Sequence, residues 1–330
     1  MVKISPPAFW YNSKARLWPA LLKPFAWAVA AIARVRAQQS GWRAPVPVLC
    51  CGNISVGGTG KTTVVIDLVN RLVARGRVPH VLTRGYGGRV PDGTQVVPLS
   101  HSAADVGDEP LLLAQYCPVW VGADRAVTAR RAVDAGADCL IMDDGLQNPS
   151  LDKTFSVVVV DGVMGFGNAQ VLPAGPLREK VEDALPRAHA LLIIGADAAN
   201  IAQQGADFGL PVFSADLKQV GIPDSLRHTA CVAFAGIGRP EKFFGGLRAA
   251  GLRIEETFSF PDHYAYKEHD IKHLQAQAQR LKAQLVTTPK DAMRLPDSFR
   301  RSVIEVGVQL VWQDSAAPEH LLDMFLAHPA

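Results

Sequence analysis

Residues 53–63 read Asn-Ile-Ser-Val-Gly-Gly-Thr-Gly-Lys-Thr-Thr and lie between an apolar run, Val46 to Cys51, and an amphipathic run, Thr63 to Val73. That order is strand, glycine-rich loop, helix. Gly57, Gly58 and Gly60, with Thr59 among them, allow backbone N–H groups to turn inward around an oxyanion, and the following helix presents its positive end. Lys61 adds a point charge, Thr62 offers a hydroxyl to Mg²⁺, and Thr63 continues the row of amides, so the loop is built for a nucleoside triphosphate. The usual pattern has glycine where this chain has Ser55. We read a variant loop, because Gly57-Gly58 supplies flexibility nearby and the strand and helix context is present.

A phosphate loop needs acidic partners. Leu140-Ile-Met-Asp-Asp144 is an apolar strand ending in two carboxylates, and an acid at an adjacent strand end holds Mg²⁺ directly or through water, which nominates Asp143 and Asp144. Asp105-Val-Gly-Asp-Glu-Pro110 places three acids before a helix, with Pro110 suited to its first turn. Helix capping accounts for one such acid more readily than for Asp108 and Glu109 together. Asp108 is therefore a candidate base for a hydroxyl proton, with Glu109 near the metal. Pro261-Asp-His-Tyr264 offers His263 as a partner for proton transfer. Arg84, Arg125, Arg178 and Asp161 are polar residues in loops where an anionic substrate could dock, and each also reads as solvated surface.

The elements that must position these groups alternate. Strands are expected at Pro79 to Thr83, Thr94 to Pro98, Val119 to Val121 and Cys139 to Met142, with helices over Pro110 to Tyr116 and Arg125 to Ala135. The second half continues with strands at Phe155 to Val160, Ala190 to Ile194, Val212 to Ala215, Cys231 to Ala235, Thr257 to Phe260, Leu285 to Thr288 and Ile304 to Val311. Such a rhythm gives an α/β fold: a mostly parallel sheet of the P-loop NTPase kind, helices on both faces, ligands at the carboxyl ends of the strands. A second, smaller α/β domain is expected to close over the site. The division expected is 1–42, an interfacial helix; 43–155, the nucleotide-binding core; and 156–330, the second domain, its last segment packing back on the core.

Composition narrows the class further. The five cysteines form no C-x-x-C pair and mostly lie in apolar runs, which argues against structural zinc or a disulfide framework. The net charge of +3 is small but unevenly placed: no acid occurs before Asp67, while Lys3, Lys14, Arg16, Lys23, Arg34, Arg36, Arg43 and Lys61 do. Trp10, Trp18, Trp27 and Trp42 lie in the same stretch. Indole rings, cations and the apolar run Phe25 to Ala33 suit a helix lying in a bilayer interface against anionic lipid. Pro19, Lys23 and Pro24 interrupt the run, leaving about half of the roughly 20 apolar residues a spanning helix requires. A signal peptide, a helix packed on its own domain, and a nucleic-acid contact are the rival readings of this stretch.

Taken in order, Gly52-Asn53 with Val56 to Thr62, Thr83-Arg-Gly-Tyr-Gly87, Val106 to Pro110, Asp143-Asp-Gly-Leu-Gln147, Leu172 to Arg178 and Asp262-His-Tyr264 resemble the tetraacyldisaccharide 4'-kinases, the lipid A 4'-kinases of Gram-negative bacteria. The resemblance extends to Thr288-Pro-Lys-Asp-Ala292 and so covers nearly the whole chain. It implies transfer of the γ-phosphate of ATP to the 4'-hydroxyl of a tetraacylated glucosamine disaccharide 1-phosphate, at the cytoplasmic face of the inner membrane. ATP and Mg²⁺ would be the cofactors; the lipid acceptor and an anionic membrane surface would be the partners, with no nucleic acid. Asp108 would be the base with His263 its partner, Lys61 a phosphate ligand, and Thr62, Glu109, Asp143 and Asp144 the Mg²⁺ neighbourhood. Arg84, Arg125 and Arg178 would bind anionic groups. Thr63 stands where that family often has proline, a change that a first helical turn tolerates.

Three other readings fit the residues less well. A membrane-recruited switch ATPase with a deviant loop carries lysine just before the Gly-Gly, where this chain has Val56. A soluble small-molecule kinase leaves the basic, aromatic amino terminus without a purpose. A dinucleotide-binding fold is disfavoured, since Gly236-Ile-Gly238 lacks the third glycine of that fingerprint.

Overall fold

The computed structural model describes residues 7–12 and 17–328. Lys3, Lys14 and Arg16, part of the basic amino-terminal stretch, lie outside the described residues. A helix α1, Leu17–Ala37, precedes the first strand β1, Val48–Gly52. There follow α2 (Lys61–Ala74), β2 (Pro79–Thr83), β3 (Thr94–Gln95), α3 (Ala103–Val106), α4 (Asp108–Leu113), β4 (Val119–Val121), α5 (Arg125–Asp134) and β5 (Cys139–Asp143). The remaining strands are β6 (Phe155–Asp161), β7 (Ala190–Ile194), β8 (Val212–Val220), β9 (Ala230–Ala235), β10 (Arg253–Ser259), β11 (Gln284–Thr287), β12 (Val303–Glu305) and β13 (Gly307–Trp312).

Nine strands form one sheet in the order β13-β8-β7-β6-β1-β5-β2-β4-β3, parallel except where β13 meets β8 and β3 meets β4. Its central members are continuous apolar runs because both faces are covered: every residue of β1, β5, β6 and β7 is buried. One face packs against α2 and the helix Ala317–Ala327, the other against α1 and α5. The second sheet, β10-β9-β11-β12, is wholly parallel and has cores of its own on both faces.

Two sequence expectations change here. The large sheet does not end at 155: β6, β7 and β8 extend it to Val220, and the small sheet begins only at Ala230. Parallel strands with apolar faces add to an existing sheet wherever a crossover can cover them, so composition at Gly162 to Pro176 marks a loop and not a lobe boundary. The single strand expected over Ile304 to Val311 is two strands, β12 in the small sheet and β13 in the large one, separated by buried Val306. The chain thus crosses between lobes within one residue.

α1 runs unbroken through Pro24. Ala26 and Ala30 are buried, and Leu22 and Val29 pack beside them. Leu17, Trp18, Leu21, Phe25, Ile32 and Val35 are each more than half exposed. Among the described residues no helix is long and apolar enough to cross a membrane.

Candidate active site

β1 ends beside β5 at the centre of the large sheet, with Cys51 in register with Asp143, so the glycine loop and the two carboxylates leave the sheet side by side. Gly57 and Gly60 both have positive φ, +117° and +89°. Gly60 caps α2 without any side-chain hydrogen bond to the first turn. The amides of Lys61 and Thr62 are therefore left for a ligand, while the Thr63 N–H, expected from the sequence to join them, donates to the Gly60 carbonyl at 3.0 Å. Ser55 forms an antiparallel bridge to Leu177, while the Arg178 N–H donates to the Ile54 carbonyl (2.7 Å) and the Val56 N–H to that of Pro176 (2.8 Å). Bridged, extended backbone is open to any residue, which is the physical reason serine serves where glycine is usual.

Lys61, the first residue of α2, lies 3.6 Å from Asp144, and the Thr62 hydroxyl is 3.4 Å from Asp143. Burial pushes the Asp143 carboxyl up to about 7, with help from the charges of Glu109 and Asp144 and against the pull of Lys61. Burial also acts on Asp144, but Lys61 and Arg178 outweigh it and hold that carboxyl below its ordinary value. Arg178 grips Asp144 with both terminal nitrogens, at 2.8 and 3.0 Å. Gln147 extends this net, donating to the Asn53 carbonyl and to buried Glu179, and accepting from Arg178.

Two observations fit the loop to a triphosphate. The Thr59 hydroxyl and the Asn53 side-chain oxygen are buried with no partner. A Cβ built on Gly57 or Gly58 meets nothing within 4 Å. Among the described residues no group of three or more His, Cys, Asp or Glu side chains could hold a metal alone. Mg²⁺ does not need one, since it takes one or two carboxylates with phosphate oxygens and waters, and Thr62 with Asp143 supplies that kind of donor set.

Asp108 and Glu109 open α4, and Asp105 belongs instead to a capping box with Ser102 on α3. Asp108 is buried, and the ring of His263 lies against its carboxylate, Nδ1 being 3.0 Å from Oδ1 and 3.1 Å from Oδ2. Burial raises the Asp108 carboxyl, but the hydrogen bond and charge of His263 and the charges of Arg294 and Lys290 outweigh it and hold it below the ordinary range. The same hydrogen bond raises His263, against burial. His263 itself has a positive φ of +54° and stacks obliquely on Tyr86 of the Arg84 to Gly88 loop, 5.7 Å away. Glu109 contacts the ammonium of Lys290.

The three arginines named from the sequence separate. Arg178 joins the Asp144 net. Arg84 is exposed on a cleft of about 340 Å³ that also includes Tyr86, Asp92 and Gly122. Arg125 is only 2% exposed; its guanidinium donates to the Gly122 carbonyl, its Nε has no partner, and burial lowers it to about 10. Asp161 is taken by Arg239 (2.9 Å) and Lys242 (3.4 Å), an ion pair joining the lobes, and so is not free to dock substrate. Lys290 and Arg294 were given no role from the sequence. For Lys290 the local signal is the Thr288 to Ala292 segment, whose Thr288 caps the short helix Pro289–Ala292; Arg294 follows that helix, and both side chains reach α4.

A glycine loop running into a helix at the centre of a parallel sheet, with paired carboxylates on the neighbouring strand and a carboxylate–imidazole pair spanning two lobes, defines a phosphoryl-transfer enzyme of the P-loop class. The family described as tetraacyldisaccharide-1-P 4'-kinase matches residues 18–326. A tetraacyldisaccharide 4'-kinase from Gluconacetobacter diazotrophicus is 53% identical over 97% of this chain and 98% of its own, and one from Gluconobacter oxydans 50% identical over 98% of each. A crystal structure of LpxK from Aquifex aeolicus in complex with ATP superposes with a TM-score of 0.72 at 24% identity, covering 94% of this chain and all of that one, which establishes the fold. The chain belongs to the tetraacyldisaccharide-1-P 4'-kinase family, as the ordered motifs of its sequence suggested. It is an ATP-dependent kinase of lipid A biosynthesis.

Proposed function

We propose that this kinase moves the γ-phosphoryl group of ATP to the 4'-hydroxyl of a tetraacylated disaccharide 1-phosphate held at a membrane surface, with Asp108 as the proton acceptor. The observation that carries the reading is the meeting of Asp108 and His263, at 3.0 Å, at α4, which packs against α2, the helix that opens with Lys61 and Thr62 beside Asp144 and Asp143. The amides of residues 57–62 and the Lys61 ammonium would hold the triphosphate. Mg²⁺, held by Thr62 and Asp143 with Glu109 and Asp144 nearby, would neutralise charge developing on the phosphate oxygens. Asp108 orients the attacking hydroxyl and takes its proton as the new O–P bond forms and the bond to the β-phosphate oxygen breaks. A carboxylate kept ionised suits a loose transition state, where the proton leaves late and positioning supplies most of the rate. His263, raised by its contact with Asp108, stabilises the ionised carboxylate and is placed to relay the proton outward. Arg178 holds Asp144 in place, and exposed Arg84 is the arginine best placed to meet an anionic acceptor.

The membrane surface enters through α1. Its buried alanine face seats the helix on the core, and Arg34 ties it to Asp183 at 2.6 Å, while the opposite stripe of Trp18, Leu21, Phe25, Ile32 and Val35 stays exposed. A contiguous exposed apolar stripe suits an interaction surface, and basic flanks suit anionic lipid. That stripe supports reading the protein as a peripheral enzyme on the cytoplasmic face of the inner membrane.

Lys61→Ala and Asp108→Ala are expected to abolish phosphate transfer to a lipid disaccharide, followed with labelled ATP, while the circular-dichroism spectrum is retained. Full turnover by either variant sinks the assignment of that residue.

A further inference from the structure

Asp108 stands on the lobe of the large sheet, yet the two side chains that face its carboxylate, His263 and Arg294, belong to the other lobe. Its Oδ1 accepts from the Glu109 N–H at 2.9 Å and faces His263 Nδ1 at 3.0 Å; its Oδ2 lies 3.1 Å from His263 Nδ1 and, as an ion pair, 3.1 Å from Arg294 Nε, whose N–H donates to the Lys290 carbonyl at 3.3 Å. Both carboxylate oxygens are therefore engaged, and the torsion of the side chain is fixed. Arg294 is itself a built node, its side chain 6% exposed. One terminal nitrogen donates to the Tyr264 carbonyl (3.0 Å), the other to the Gly236 carbonyl (3.0 Å) and to Asp291 (2.7 Å). Asp291 is fully buried and accepts from the Gly236 N–H, the Tyr266 hydroxyl and the Thr288 hydroxyl. The His263 N–H donates to that same Gly236 carbonyl. One guanidinium thus fixes the turn that carries the imidazole and faces the carboxylate the imidazole serves.

We propose that Arg294 is the positioning residue of the reaction, setting the direction of the Asp108 carboxylate and tying it to the seating of the second lobe. All three guanidinium nitrogens of Arg294 donate to protein groups, so it acts through Asp108 and His263. The guanidinium is needed for its shape as well as its charge, because three nitrogens point to partners in three directions and an ammonium has only one centre. The contact between Lys290 and Glu109 seats the same lobe on the same helix turn. The proposal rests on Asp108 being the proton acceptor.

The test is a double-mutant cycle between Arg294 and Asp108, read as kcat, KM for ATP, and ATP affinity by fluorescence titration. Loss of base positioning is expected to lower kcat of Arg294→Gln by about 100-fold, within the range that general-base catalysis supplies. ATP affinity should change by no more than about threefold, since the phosphate loop is untouched. Added to Asp108→Asn, the same change should lower the residual rate by no more than about threefold, because the group it positions is already gone. Arg294→Lys keeps the charge and guards against a variant that fails to fold; it is expected to lose about tenfold in kcat. A kcat for Arg294→Gln within threefold of the parent, an equal loss in the Asp108→Asn background, or an Arg294→Lys variant indistinguishable from the parent would each overturn the proposal. Full turnover by Asp108→Ala would instead show that the base itself is misassigned.

Discussion

Asp143→Asn should make this enzyme inactive and, at alkaline pH, more stable. The buried carboxyl has its folded-state value raised from 3.8 to about 7, so between those limits the unfolded chain gives up the proton more readily than the folded one. An acid raised in this way opposes folding: the cost is absent well below pH 3.8, grows as pH rises, and is complete above pH 7. At 1.36 kcal/mol per tenfold the full cost is about 4 kcal/mol at pH 8 and about 2 kcal/mol at pH 5. Against total stabilities of roughly 5–15 kcal/mol that is a large fraction. Asparagine occupies the same space without the charge, so it removes the cost. The assay is thermal unfolding of both proteins across pH 5 to 8, without nucleotide. The variant's melting temperature should exceed the parent's by up to about 8 °C at pH 8, at roughly 2 °C per kcal/mol, with the gap narrowing toward pH 5. Adding ATP and Mg²⁺ should stabilise the parent far more than the variant. A variant no more stable than the parent at pH 8, or a gap that widens on acidification, would refute the reasoning.

Gly57→Ala places a side chain at φ +117° with no neighbour within 4 Å, so the penalty is conformational and not steric. At about 1–3 kcal/mol, it should lower the melting temperature by about 2–6 °C at roughly 2 °C per kcal/mol in a nucleotide-free thermal melt. Replacing Trp18, Leu21 and Phe25 together by serine removes apolar groups worth about 1.5–3 kcal/mol each when buried, and sedimentation with anionic vesicles should show at least a 100-fold weaker partition. ATP affinity should not move. Unchanged vesicle binding would remove α1 from the membrane reading, and an equal loss of ATP binding would make α1 a folding element instead.

The amino-acid sequence by itself determined the phosphate loop, the alternating architecture and the family, because each is written in short, local patterns. An anion cradle needs consecutive amides and glycines within a single βα turn, and fully covered strands need unbroken apolar runs such as Phe155 to Val160. Asp143 and Asp144 were legible for the same reason, as acids at the end of such a run. Tertiary structure decided what depends on neighbours far along the chain. Ser55 is tolerated because Leu177 bridges it, and Ile304 to Val311 divides between two sheets because each half finds a different partner strand. Arg125 is enclosed, and Asp161 is spent on joining the lobes. Arg294 reaches Asp108 only because the second lobe folds over α4, and no local pattern marks it, since the charge it answers is buried on a different lobe. Burial and charge balance in a low-dielectric interior are set by the whole fold, and they decide which of the chain's acids and bases are held, shifted or left open to react.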